Sequence, residues 1–439
     1  MKEIHLAIDL GASSGRHIVG YKNENDELIL DEVFRFKNSY EIINNHKVWN
    51  IDYLFKQIKL GIKEALKKYH QIISLSIDTW GVDYVLLKNN KEIYPVYCYR
   101  DERTKAVINQ VHSLIPFKEL YKITGTQFQE FNTIYQLYED LISGRLNNAD
   151  EFLMLPEYFI YKLTNIKVRE YTNASTTGLF DINKKSFSKE IISRLGFNDK
   201  LFNKVNYPGE DVGYLKEDIA KEVGGNILVK LCATHDTASA IEGISLNKYV
   251  PYISSGTWSL LGVKLDKPIT NEKALKFNYS NELGPTYVRF QKNIMGLWII
   301  QNLSKEYNID FINLVNLARK SSYKEIFDVN DSVFLSSNNM DQEIKNYFIK
   351  HNKIVPCSKE DVINSALHSL AYSYKVAIME LEEITSNNYK EIYVIGGGAK
   401  NKYLNELTSF YTSKKIIALE IEASSIGNLL VQMGGKTNE

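Results

Sequence analysis

Several short runs in this chain of 439 residues place carboxylates, hydroxyls or glycines at the ends of strand-like segments, where a small polar ligand can be gripped. In Thr234-His-Asp-Thr237, Asp236 stands between an apolar run (227–232) and a stretch of small residues. A carboxylate there can serve as a general base or as the N-cap of the next helix, and taken alone the stretch reads more readily as a cap. Asp9-Leu-Gly-Ala-Ser-Ser-Gly-Arg16 joins Gly11 and Gly15 to the amides and hydroxyls of Ala12, Ser13 and Ser14 and to the charge of Arg16, a set suited to phosphate oxygens. Asp9, at the strand end, could hold Mg²⁺ directly or through water. An ordinary hairpin turn reads equally well there, and neither a Walker loop nor a dinucleotide fingerprint is present.

Three further runs extend the pattern. Ser255-Gly-Thr-Trp-Ser259 is a second small-residue turn between strands, offering Gly256 and Thr257 to a phosphate. Ile395-Gly-Gly-Gly398 follows an apolar strand and precedes a helix, so a flat ring or ribose can lie against Gly397 or Gly398, although a plain turn fits as well. Asp78-Thr-Trp-Gly-Val-Asp83 offers carboxylates and an indole, a mixture that suits a sugar. Tyr99-Arg-Asp-Glu-Arg-Thr104 reads as a solvated charged turn, and Gln127, Asn132 and Gln136 remain open between polar contacts and helix surface.

These runs must be positioned by alternating elements. Strand patterns are expected at 4–10, 16–22, 28–36, 72–77 and 82–87, with a helix over 51–69, giving a mixed sheet. The region 107–195 is dominated by amphipathic helical patterns, including 133–143. Strands return at 227–232, 252–254 and 259–265, and a long helix over 359–384 precedes a strand at 392–395. The second half repeats the grammar of the first, so a duplicated α/β domain is expected, with a boundary within 241–249.

Length favours two domains around a cleft, hence a small ligand. Lys plus Arg and Asp plus Glu are both 53, and no basic stripe interleaves with aromatics, so no nucleic acid is expected as partner. Three widely spaced cysteines, Cys98, Cys232 and Cys357, indicate neither a disulfide framework nor a zinc site. No signal peptide or membrane-length apolar stretch is read, so a soluble cytoplasmic protein without a membrane partner is expected.

The order of these runs, with Phe131-Asn-Thr133, Glu170-Tyr-Thr-Asn-Ala174, Lys292-Asn-Ile-Met-Gly-Leu-Trp298 and Glu422-Ala-Ser-Ser-Ile-Gly-Asn428, resembles the FGGY carbohydrate kinases over nearly the whole chain. The Gly-Ala-Ser-Ser-Gly-Arg loop and the Asp-Thr-Trp-Gly-Val-Asp run point to the branch acting on L-rhamnulose. The resemblance implies an α/β fold of two actin-like, ribonuclease-H-like ATPase domains around a nucleotide cleft, divided as 1–243 and 244–439. It implies transfer of the ATP γ-phosphoryl group to the 1-hydroxyl of L-rhamnulose with Mg²⁺, by a monomer or homodimer. Another ketose, L-fuculose or L-xylulose, and a non-catalytic sugar- or ATP-binding module are the alternatives. Carried over, Asp236 is the catalytic base. His235, Thr237, Gly81, Asn293, Asp78 and Trp80 belong to the sugar side, and Ala12, Ser13, Ser14, Gly15, Arg16, Thr257, Gln301 and Gly397 or Gly398 to the nucleotide. Relatives continue beyond the last residues here, so a missing C-terminal element and weaker packing of the second domain are expected; the segment 328–341 is less similar.

Overall fold

The computed structural model describes residues 2–434 apart from Ser245, Ser336, Asn338 and Glu420. Its frame is a pair of six-stranded sheets that share the same five-strand order. In the first, β1 (His5–Leu10), β2 (Ser14–Lys22) and β3 (Leu28–Lys37) form an antiparallel meander. Next, β4 (Ser74–Thr79) lies parallel to β1, β6 (Leu228–Lys230) parallel to β4, and β5 (Asp211–Tyr214) antiparallel at the edge. In the second, β7 (Tyr252–Ser255), β8 (Trp258–Leu265) and β10 (Val288–Met295) repeat the meander. Then β11 (Glu391–Ile395) and β12 (Lys415–Ala418) add in parallel on the far side of β7. The edge strand β9 (Ser280–Leu283) pairs with β10. The duplication expected from pattern is therefore present in five strands of each sheet, and the sixth differs: β5 lies beyond the parallel strands of the first sheet and β9 beyond the meander of the second.

Burial explains the strand choices. Every residue of β1 and β4 is buried, the apolar Leu6, Ala7, Ile8, Leu75 and Ile77 together with polar Asp9, Ser74, Ser76 and Asp78, as central strands covered on both faces are. Helix α1 (Ile51–Lys68) covers the first sheet with Ile51, Leu54, Ile58, Ile62 and Ala65, spaced three or four apart. Its start is fixed by Asn50, whose side chain accepts the Tyr53 amide at 2.9 Å. The strand expected at 82–87 begins only at Tyr84, because Val82 sits in the left-handed region at φ 67° and belongs to the preceding turn.

Each half ends in a helix that leaves its sheet for the other half. Helix α2 (Asp236–Glu242) follows β6, and α6 (Ala423–Gln432) follows β12; between them in sequence come α3 (Trp298–Tyr307), α4 (Lys359–Thr385) and α5 (Lys402–Thr412). Helices α2 and α6 meet at Gly243 and Gly427, where an added methyl would lie 2.1 Å from the Ala423 carbonyl oxygen and 1.8 Å from that of Ser239, respectively. Helix α6 also reaches the first sheet: Gln432 donates to Leu6 O at 3.1 Å and accepts from Ser74 at 2.6 Å. The end of the chain thus packs on the first sheet as well as leaving the second, and residues 435–439, to which the expectation of a missing element referred, lie outside the described residues.

Candidate active site

A cleft of about 410 Å³ opens between the halves where the three glycine-bearing turns converge. The first turn is held by Gly11 N–H donating to Ser14 O at 2.9 Å and braced by Asn38, whose side-chain amide donates to Gly11 O and whose N–H donates to Ser13 O, both at 3.0 Å. The second has Gly256 N–H donating to Trp258 O at 2.8 Å, while Leu297 and Trp298 amides donate to Gly256 O and Thr257 O. That contact seats α3, which brings Gln301 to the same wall. In the third, Gly396 takes φ +78°, a value only glycine adopts cheaply, and a methyl there would lie 2.7 Å from Ser255 O.

The cleft brings together most of the expected residues. Ala12, Ser13, Ser14, Arg16, Thr257, Gln301 and Gly397 line it with Asp9, and so do Trp80, Gly81, His235, Asp236, Thr237 and Asn293. Three of the assignments do not hold as cleft contacts. Gly15 lies within β2 opposite Leu10, and its missing side chain makes room for the Phe36 ring, 2.3 Å from where a methyl would stand. Gly398 is buried against Ser255, whose Oγ would be 2.0 Å from an added methyl, whereas Gly397 faces open space. Asp78 has no exposed surface; it sits beneath the cleft, beside Asp9 on the neighbouring strand, and accepts Asn428 Nδ2 at 2.6 Å.

Asp236 begins α2, but the N-cap is His235, which makes no side-chain cap bond. Asp236 Oδ1 accepts from the amide and hydroxyl of Thr237, with His235 Nε2 3.4 Å away, and its side chain is 33% exposed toward the cleft. The cap reading of this carboxylate therefore falls away, since capping requires bonds to amides two or three residues on.

The charge around it is concentrated. Burial raises the Asp9 carboxyl to about 6, against the pull of Arg16, with Asp236 and Glu422 adding to the rise. Arg16 Nε stands 3.3 Å from Asp9 Oδ2, and its Nη1 pairs with Glu422 at the start of α6. The guanidinium is thus shared between the first turn and α6. Asp78 is driven well above the usual range by burial and then by Asp9, and its Oδ1 has no partner. Asp83 is an anchor for aromatic rings, not a sugar contact: it accepts Trp49 Nε1 at 2.6 Å, Trp80 Nε1 at 2.9 Å and Gln136 Nε2 at 3.2 Å. Burial pushes it up to about 6 despite those bonds. Arg103, read as a surface charge, is buried with Asp140 at 2.9 Å. The segment 328–341 supplies no cleft residue among those described.

Other parts of the wall are left open or missed by sequence reasoning. Gln127, open in the sequence between polar contact and helix surface, is a polar contact: it clamps Asn293 by two bonds, accepting its N–H at 2.7 Å and donating to its carbonyl at 3.1 Å. Thr126 Oγ1, Asn293 Oδ1 and Ser255 Oγ are buried at the cleft without partners. Unpaired buried polar atoms are costly; Thr126 Oγ1 and Asn293 Oδ1, either side of Gln127, mark the place of a ligand rich in hydroxyls, while Ser255 Oγ lies under the third glycine turn. Phe131 and Trp258, with ring centroids 5.5 Å apart, close an aromatic side shared by the two halves. Glu282 also lines the cleft; its signal was a carboxylate placed opposite Arg289 across the Gly284-Pro turn.

Among the described residues, no group of three or more His, Cys, Asp or Glu side chains has the arrangement of a metal site, and no helix is long and apolar enough to cross a membrane. Known proteins place the whole chain. A protein named rhamnulokinase from Oceanobacillus iheyensis is 44% identical over 99% of this chain and 93% of its own length. One of the same name from Bacillus subtilis is 38% identical over 98% and 90%. Among solved structures, a ligand-bound xylulose kinase from Lactobacillus acidophilus superposes with a TM-score of 0.79 at 13% identity, covering 99% of this chain and 89% of that one. A Plasmodium falciparum glycerol kinase with ADP gives 0.76 at 15%, covering 98% and 89%. At such identities these two show the fold alone, the two-domain actin-like arrangement. Residues 4–243 match the FGGY family of carbohydrate kinases, N-terminal domain, and residues 251–434 match its C-terminal domain. The chain belongs to the FGGY family of carbohydrate kinases.

Proposed function

We propose that this chain transfers the γ-phosphoryl group of ATP to the 1-hydroxyl of L-rhamnulose, giving L-rhamnulose 1-phosphate and ADP. The observation that carries the reading is the place of Asp236: a carboxylate on the cleft wall, free of capping duty, beside the turns at Gly11 and Gly256. Full-length relatives named rhamnulokinase supply the substrate. The first half, 1–243, carries the sugar side and the first phosphate turn; the second, 244–439, carries the nucleotide side.

Phosphoryl transfer asks a protein mainly for alignment and for stabilisation of the phosphate charge. The sugar rests against Gly81, Trp80 and His235, and Asn293 Oδ1 and Thr126 Oγ1 take up its hydroxyls. Asp236 accepts the 1-hydroxyl proton as that oxygen attacks phosphorus in line, and ADP leaves. The Gly11 and Gly256 amides close their own turns, so the amides of Ala12, Ser13 and Thr257 are the ones left to meet the phosphates, and Gly397 leaves space for the nucleoside. One carboxylate with the phosphates fits Mg²⁺: Asp9, raised by burial and by Asp236 and Glu422, is a group that a divalent cation would return to its anionic form. Asp9 would hold the ion directly or through water, and when bound it supplies positive charge to the transferring phosphates. We place the reaction in the bacterial cytoplasm, where ATP is available.

A coupled ATP-consumption assay across a ketose panel tests the substrate; a clearly higher kcat/KM for L-fuculose or L-xylulose overturns that choice. Asp236→Asn tests the chemistry. We expect kcat to fall on the order of 10²-fold or more with ADP binding retained, and an unchanged rate removes Asp236 from the mechanism.

A further inference from the structure

Glu282 lies on β9, the edge strand of the second sheet, yet its carboxylate faces the first half. Its Oε2 stands 3.4 Å from His235 Nδ1, and His235 Nε2 stands 3.4 Å from Asp236 Oδ1. One imidazole therefore bridges two carboxylates, one from each half of the molecule.

Both ends of this bridge are fixed. Glu282 pairs across the strands with Arg289, whose Nη2 lies 3.2 Å from Oε2, and Gln291 Nε2 donates to the same oxygen at 2.9 Å. Arg289 is fully buried, so its field on the carboxylate is little screened. Burial alone would raise Glu282, but Arg289, then His235 and Gln291, outweigh it and hold the carboxyl at about 2. His235 is pinned from its own side: Thr79 N–H donates to Thr234 O at 2.9 Å, and the ring lies so close to Gly81 that a methyl there would be 3.3 Å from Nε2. An anion beside Nδ1 favours the tautomer with the proton on that nitrogen. The Nε2 lone pair is then left on the cleft side to accept from a sugar hydroxyl next to Asp236.

We propose that Glu282 is a positioning residue that holds the His235 ring, and with it the Asp236 side of the sugar site, in register for the acceptor hydroxyl. Because Glu282 comes from the second half, the alignment exists only while β9 stands against the first half, so the base is set when the cleft is assembled. This deepens the function proposed above and rests on it.

The test is a kinetic cycle of Glu282→Gln, Glu282→Asp, His235→Gln and the double variant Glu282→Gln/His235→Gln, with Asp236→Asn alongside. Glu282→Gln should lower kcat/KM for the sugar at least about 10-fold, the scale of one hydrogen bond to a charged group, with KM for ATP within about 2-fold. Glu282→Asp keeps the charge that Arg289 needs but withdraws the carboxylate by one methylene, and should lose sugar kcat/KM as well. In the double variant Glu282→Gln should add nothing to the loss from His235→Gln, because one acts through the other. The inference is overturned if Glu282→Gln stays within about 2-fold of the parent, if Glu282→Asp is fully active, if sugar and ATP constants worsen together, or if the two losses multiply. Should Glu282→Gln fail to fold, the cycle is run with Glu282→Asp on the same criteria. Loss in Asp236→Asn with an indifferent Glu282 sinks this inference alone; an indifferent Asp236→Asn sinks the functional reading beneath it.

Discussion

Gly427→Ala tests how tightly the seam between α2 and α6 governs the cleft. The added methyl would stand 1.8 Å from the Ser239 carbonyl oxygen, where carbon and oxygen ordinarily keep about 3.3 Å, so roughly 1.5 Å must be found by moving a helix. No rotamer change relieves the contact, because Ser239 O is backbone and already accepts the Gly243 amide at 3.0 Å. Alanine gains about 1 kcal/mol over glycine inside a helix, whereas overpacking costs about 1–3 kcal/mol, and an obstacle made of backbone lies at the upper end. The net expectation is a loss of about 1–2 kcal/mol and a melting temperature lower by several degrees. Activity should suffer more than stability. Asp236 begins α2 and Ser424 brings the start of α6 to the same cleft, so a displacement near 1 Å reaches the reacting groups and costs on the order of 10²-fold in kcat/KM. Coupled ADP release and thermal unfolding measure both. A variant with parental kcat/KM and an unchanged or raised melting temperature would refute the reasoning, since it would mean that the seam yields freely.

The third glycine turn separates in the same way: Gly397→Ala, whose methyl meets no protein atom but enters the space left for the nucleoside, should raise KM for ATP with the melting temperature kept, whereas Gly398→Ala, whose methyl would meet Ser255 Oγ at 2.0 Å, should lower the melting temperature. ATP titration and thermal unfolding of the two variants decide, and equal behaviour would overturn the distinction. His17 is wholly buried, donates to or accepts nothing at Nδ1, and is lowered by burial to about 4 from 6.5. Between those values the unfolded chain binds the extra proton, so the stability this ring contributes above 6.5 is lost as pH falls, by about 2 kcal/mol at about pH 5 at 1.36 kcal/mol per unit. His17→Leu lacks that loss, so its stability relative to the parent should improve by about 2 kcal/mol between about pH 7.5 and pH 5 in denaturant titrations, and a constant gap would refute it.

The frame was legible because central strands carry a largely apolar stretch, as Leu6-Ala-Ile8 in β1, and helices such as α1 carry their core residues three or four apart. The repeated order of strand, turn and helix gave the duplication. What local pattern does not carry is the third dimension of polar residues. Asp78 and Asp83 look alike in sequence, five residues apart in one turn, yet one lies under the cleft with Asn428 from the far end of the chain and the other holds two indoles. Nothing near Arg103 in sequence names Asp140 as its partner. Gly397 and Gly398 are equivalent as letters and differ only in which one meets Ser255. The cap reading of Asp236 failed for a simpler reason: the helix begins one residue earlier than the carboxylate would need in order to cap it.

The bonds between Gln432 and the first sheet join residues 358 and 426 positions apart, Ser74 and Leu6. During synthesis the first sheet therefore stands without these two bonds until residue 432 has been made. A nascent chain holding only the first half has its strands but lacks the helix that finishes them, so maturation of that half is timed by completion of the other.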